Sequence, residues 1–180
     1  MTVTPTAIAG VLLLEPRIFE DSRGFFFESF NHAVFERAIG SPVSFVQDNQ
    51  SHSRARVLRG LHYQVDKPQG KLVRVVRGAI WDVAVDIRRG SPTFGRWVAE
   101  ELSAENRRQL WIPAGLAHGF LVLSESADVL YKATDSYSPA GERCIVWNDP
   151  DLAITWPLAG DPVVSAKDQQ GMRFREASAS

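Results

Sequence analysis

Polar and apolar residues alternate along much of this chain, most clearly over residues 79–87. Trp81, Val83, Val85 and Ile87 fall on one side of an extended segment, and Asp82, Ala84 and Asp86 on the other. A period of two predicts a β-strand. Further short apolar or alternating runs are divided by Gly, Pro, Ser and Asp: GFFFESF, LVRVV, RWVAEEL, QLWIP, GFLVLS, VLYKATDSY and CIVW. The apolar run 8–14 predicts a first strand. Helical signals are few. Residues 31–38, NHAVFERA, have Asn31 as an N-cap and stop at Gly40, and residues 103–108 predict one short turn of helix. Many short strands and few helices predict an all-β sandwich or barrel.

One stretch resists the simple pattern. In RGLHYQ, alternation sends Arg59, Leu61 and Tyr63 to one face and Gly60, His62 and Gln64 to the other. The polar run before it, QDNQSHSRARVL, reads as loop surface around His52, and His32 reads as a solvated helix residue. Polar side chains inside a barrel are costly unless paired or wetted. A ligand cavity accounts together for His62, Gln64, Lys71, Asp82, His118 and Tyr131. Asp82 and Asp86 can equally mark a wet face, and they are left out of the candidate site.

Composition narrows the partners. The chain has 180 residues, 44% hydrophobic and 23% charged, which suffices for a core without staples. No internal repeat or low-complexity linker divides it, so a single domain over 1–180 is expected, with EASAS as a frayed tail. The net charge of -1 offers no electrostatic case for nucleic acid or an anionic membrane. Cys144 is the only cysteine, so no internal disulfide can form. The run 8–14 is too short to cross a bilayer and lacks the basic flank of a signal peptide. A cytoplasmic protein is the expectation.

PAGLAHGF has the Pro-x-Gly-x-x-His spacing of the second cupin motif, and RGLHYQ stands where the first would place His-x-His. Gln64 replaces the second histidine, and Asp66 and Lys67 stand where a glutamate is expected. Two histidines and a lysine are a poor set for a metal that needs about three protein ligands, so no metal is expected. Acid–base chemistry remains. An imidazole titrates near pH ~6.5, suited to a general base. A carboxylate on its other nitrogen would fix the tautomer, Lys71 could stabilise an oxyanion, and Tyr131 could return a proton. Such a set suits proton abstraction beside a carbonyl.

From about residue 8 to 171, the ordered segments FEDSRGFFFESFN, FVQDNQSHS, VLRGLHYQ, QGKLVRVVRGAIWDVAVDIRRGSPTFGRW, LSAENRRQLWIPAGLAHGF, LYKATDSYSP, WNDPDLAITWP and SAKD resemble the dTDP-4-dehydrorhamnose 3,5-epimerases of the cupin superfamily. The resemblance implies a cupin-like jelly-roll β-barrel with a few short helices. It implies cofactor-independent epimerisation of dTDP-4-dehydro-6-deoxy-D-glucose at C3 and C5. It assigns His62 as base with Asp168 as its dyad partner, Tyr131 as acid, and Lys71 and His118 beside the reacting carbonyl. Arg59 and Arg23 would bind the diphosphate. Glu28, Gln47, Asp48 and Asn49 would surround the nucleotide, Tyr137 would stack on thymine with Phe26 nearby, and Glu142 and Lys167 complete the set. Glu28 also interrupts an apolar run and would share a strand face with Phe26. A homodimer with shared N-terminal strands is implied. Three alternatives stay open: a single-site epimerase acting at C3 or C5, a non-catalytic cupin that binds sugar nucleotides, and a metal-dependent cupin oxygenase.

Overall fold

The computed structural model describes residues 1–177. Two antiparallel sheets face each other. The first runs β1 (Thr2–Pro5), β2 (Leu12–Glu15), β10 (Gln109–Ile112), β7 (Lys71–Arg77), β12 (Ser126–Ala133) and β5 (Gln47–Arg54). The second runs β13 (Glu142–Cys144), β6 (Val57–Gln64), β11 (Leu116–Val122), β8 (Ala79–Asp86) and β9 (Trp97–Ser103), with β14 (Val163–Val164) parallel to β6. A separate hairpin, β3 (Phe19–Asp21) with β4 (Gly24–Phe26), stands apart from both sheets. The all-β, jelly-roll reading holds, and no helix among the described residues is long and apolar enough to cross a membrane.

Alternation along the strands decides which side chains meet. Val73, Val75, Leu110, Ile112 and Val129 of the first sheet pack between the sheets on Ile80, Ala84, Leu116, Phe120 and Val122 of the second. The outer face of the second sheet carries Leu58, Leu61, Tyr63, Val83, Val85 and Leu121, covered by Ile145, Leu152 and Trp156 of the C-terminal segment. The outer face of the first sheet carries Leu14, Leu72 and Trp111, covered by Phe35 of helix α1 (His32–Ile39). Asn31 caps that helix by accepting from the Val34 N–H, and Gly40 ends it at φ 73°. His32 is exposed there, 3.3 Å from Glu36 one turn on.

Several predicted boundaries shift. The apolar run 8–14 is not one strand: a turn occupies its first half, because Gly10 at φ 89° lets the chain reverse between β1 and β2. The strand predicted in GFFFESF ends at Phe26, so Glu28 lies beyond it and does not share its face. CIVW contributes only Cys144 to β13, and the strand in VLYKATDSY stops at Ala133. Residues 103–108 form a single hydrogen-bonded turn rather than a helix, with the Asn106 side chain accepting from the Ser103 and Arg108 N–H groups. The polar run around His52 is the strand β5, not a loop. Neither of its faces needs apolar residues, since one meets solvent and the other a polar interior. SAKDQQG contains the short helix α2 (Ala166–Gln169). Within the EASAS tail, Ala177 is buried and the last three residues lie outside the described residues.

Candidate active site

The site is built around an irregularity in β6. Opposite it, β11 advances two residues from Phe120 to His118 while β6 advances three from Arg59 to His62. The extra residue falls at Gly60, whose φ of 108° a side chain would strain. Leu58 and Leu61 consequently both point into the outer core, and Arg59 and His62 both line one cleft. Simple alternation had separated Arg59 from His62; the bulge unites them.

His62 Nε2 lies 2.7 Å from Asp168 Oδ1. Asp168 is 4% exposed and sits on α2, where Ser165 caps its N–H at 3.1 Å. Its second oxygen accepts the Gly60 N–H at 3.1 Å. Burial pushes the Asp168 carboxyl up, but His62 and these donors outweigh it and hold the group below the usual carboxylate range. The ionised carboxylate accepts a hydrogen bond from Nε2–H and leaves Nδ1 with the free lone pair. The cleft, about 420 Å³, is lined by Arg59, His62, Glu142, Ser165, Lys167 and Asp168. Arg59 donates to Ser53 Oγ at 2.9 Å and to the His52 carbonyl at 3.4 Å. No carboxylate pairs with it among the described residues, so its guanidinium can take an anion.

Lys71 and Tyr131 come from adjacent strands of the facing sheet. Lys71 is half-buried, and desolvation lowers its ammonium to about 8, against the opposing pull of Asp82 and Glu142. Burial pushes the half-buried Tyr131 phenol up, with Glu142 adding and Arg59 opposing, so it carries its proton at neutral pH. His118 is buried on β11, and its Nε2 is 2.7 Å from Asp82 Oδ1. Asp82 and Asp86 mark no wet face. Both are 0% exposed and share the inner side of β8 with Ile80 and Ala84. Period-two alternation shows that a polar row exists but not whether water or a cavity faces it.

At the cleft mouth, Glu142 accepts from the Tyr137 hydroxyl at 2.6 Å and pairs with Lys167. Burial pushes Glu142 up, but those two partners hold it below its ordinary value. The Tyr137 N–H donates to Gln47 Oε1 at 2.9 Å. Gln64 braces the same loop: its amide donates to the Lys67 and Ser136 carbonyls and accepts the Ser138 N–H at 2.9 Å. It is a loop tie rather than an open cavity wall. Gln47 and Asn49 share a face of β5, joined at 2.9 Å, and Asn49 lies across from Tyr131. Asp48, one residue out of phase, points away and pairs with Lys132 at 3.0 Å.

Besides Asp48, the predicted Arg23, Phe26 and Glu28 stay apart from the cleft within this chain. Arg23 is 88% exposed and pairs with Asp21, and Phe26 is 68% exposed at the end of β4. Glu28 accepts from the Asn31 side chain at 3.1 Å. As for a metal, His62, Cys144 and Asp168 are the cluster of candidate donors found among the described residues. Burial pushes the Cys144 thiol up to about 12, and a protonated thiol is not a ligand. The other two donors already satisfy each other, so the set suits a proton relay better than a cation.

A sequence profile described as dTDP-4-dehydrorhamnose 3,5-epimerase matches residues 5–176. The chain belongs to that family. It is 64% identical over 177 residues to the dTDP-4-dehydrorhamnose 3,5-epimerase of Pseudomonas aeruginosa, covering 98% of each chain. Identity to the Salmonella typhimurium enzyme of the same name is 60%, over 93% of this chain and 92% of that one. Among solved structures, a Legionella pneumophila dTDP-6-deoxy-D-glucose-3,5-epimerase in complex with dTDP-4-keto-L-rhamnose superposes with a TM-score of 0.96. It is 51% identical, covering 99% of this chain and 95% of that one. The epimerase family thus supplies a reaction against which the cleft can be read.

Proposed function

We propose that the cleft epimerises dTDP-4-dehydro-6-deoxy-D-glucose at C3 and C5, giving dTDP-4-dehydro-L-rhamnose. The His62–Asp168 pair at 2.7 Å, open to a cleft that also holds an unpaired Arg59, carries this reading. The C4 ketone acidifies the hydrogens on C3 and C5. His62 Nδ1 takes one of them, and the electron pair left on carbon moves into an enolate whose charge rests on the C4 oxygen. Lys71 and His118 stand to stabilise that oxygen. Tyr131 gives its proton to the carbon from the other side, the ketone re-forms, and the centre is inverted. Both groups then re-equilibrate with water, so the enzyme's own residues complete each turnover.

Arg59 holds the diphosphate in this reading, and Tyr137, Gln47 and Asn49 hold the nucleoside. Arg23, Phe26 and Glu28 reach a cleft only from a second copy. The exposed Phe19, Phe25 and Phe26 of the β3–β4 hairpin, together with the edge strand β1, favour a homodimer that exchanges this N-terminal region.

Two measurements test the reading. Incubation with the 4-keto sugar nucleotide in deuterated water is expected to label both C3 and C5. Label at one carbon identifies a single-site epimerase, and no label removes the reaction. The basic limb of the kcat profile is expected to fall with an apparent pKa near the value of about 8 that burial gives Lys71. Asp82 and Glu142 are the charges acting on that ammonium, and both resist its deprotonation. The linked stability runs the opposite way. The folded pKa lies below the unfolded one, so between about pH 8 and 10 the unfolded state binds more protons, and Lys71's contribution to stability rises with pH. A kcat that stays flat to pH 10 would remove Lys71 from the reaction.

A further inference from the structure

Asp82 is a buried charge without a task in the scheme above. Asp86, equally buried four residues on, shows how this fold settles such a group. Arg88 grips it with two bonds of 2.9 and 2.8 Å, and Ser91 and Thr93 each donate at 2.6 Å. Asp82 has a single hydrogen-bond partner among the described residues. Its Oδ1 takes the His118 bond, and its Oδ2 is buried with no hydrogen-bond partner among the described residues. A half-satisfied buried carboxylate is costly. Stability alone gives no reason for a carboxylate here.

Its surroundings supply a reason. The bond to Nε2 fixes the His118 ring and leaves Nδ1 as the nitrogen open to a ligand. From the facing sheet, Lys71 feels the same negative charge, which opposes the desolvation of its ammonium. The His118 ring is therefore held by a buried carboxylate behind it.

We propose that Asp82 is a positioning residue for epimerisation. It acts through His118, fixing the imidazole so that the wall facing the C4 oxygen is set before the enolate forms. The inference rests on the epimerase reading and adds to it an inner carboxylate that works without substrate contact.

Asp82→Asn tests it. The amide oxygen can still accept from His118 Nε2–H, so the variant removes the charge and keeps the shape. It is expected to remain folded, while kcat falls about 10–100-fold. KM and dTDP affinity by calorimetry should stay within about twofold of the parent values. Asp82→Leu, which removes the bond as well, should lower kcat further and change the His118 tautomer seen by imidazole ¹⁵N NMR. A parental kcat in Asp82→Asn overturns the proposal, as does a loss that tracks only unfolded protein or only KM. The ¹⁵N spectrum of the parent protein decides independently of either variant's folding: Nε2 must carry a proton, and a bare Nε2 overturns the proposal. A parent that incorporates no deuterium from solvent sinks the epimerase reading instead, a result separate from all of these.

Discussion

His62→Ala is expected to lower kcat by about 10³-fold or more, within the range for removing a positioned general base. The fold should survive. His62 is half-buried at a cleft wall, and its one side-chain bond is to Asp168, which keeps the Gly60 N–H as a donor when the imidazole is gone. Nucleotide binding should survive too, because Arg59 and Tyr137 are held by Ser53, Gln47 and Glu142 rather than by His62. The variant should therefore bind dTDP in calorimetry almost as tightly as the parent and exchange almost no deuterium into the sugar. Counting the label by position sharpens the test. One base serving both carbons means that exchange at C3 and at C5 collapses together. Exchange at either carbon within about tenfold of the parent rate would mean that another group removes that hydrogen.

How far this site could be read from the chain depends on which physical signal each residue leaves. Trp81, Val83 and Val85 alternate cleanly, and β8 was legible from them. Asp82 alternates equally well, but period two cannot distinguish a solvated face from the inside of a polar barrel, so the His118–Asp82 pair was missed. Strand β5 was missed for a related reason. QDNQSHSR has no apolar residue, yet its backbone pairs along its whole length with β12. The His62–Asp168 pair spans 106 residues and leaves no local trace. Its one sequence cue is the Ser165-x-x-Asp168 spacing that caps α2, a helix signal rather than a catalytic one. The assignment of Asp168 came from resemblance to the epimerase family, and geometry now gives it a physical partner. Arg23, Phe26 and Glu28 fail to reach the cleft for a different reason: the hairpin that carries the first two pairs with neither sheet, and none of the three lines the cleft.

Gly60→Ala is expected to damage both the fold and the site, although it adds one methyl group. A Cβ at residue 60 would lie 2.6 Å from the His118 carbonyl oxygen and 2.7 Å from Gly119 Cα, and neither backbone atom can swing aside as a side chain could. The reciprocal position is as tight, since a Cβ on Gly119 would meet the Arg59 carbonyl at 2.6 Å. The two glycines thus mark a close crossing of β6 and β11, at the bulge that turns Arg59 and His62 to the same side. The φ of 108° adds backbone strain to the collision. Strain and overpacking together should cost about 3–5 kcal/mol. For a chain of this size that is a fall in Tm of about 10 °C or more, measurable by calorimetry. Gly90→Ala separates the two causes, since Gly90 also has a positive φ, 88°, but meets nothing within 4 Å; it should lose about 1 kcal/mol. Activity in Gly60→Ala should fall beyond the loss of folded protein, because the Gly60 N–H is one of the bonds that hold Asp168 against His62. If Gly60→Ala melted like Gly90→Ala and turned over like the parent, the bulge would be a tolerant irregularity, and another constraint would have to keep Arg59 and His62 on one wall.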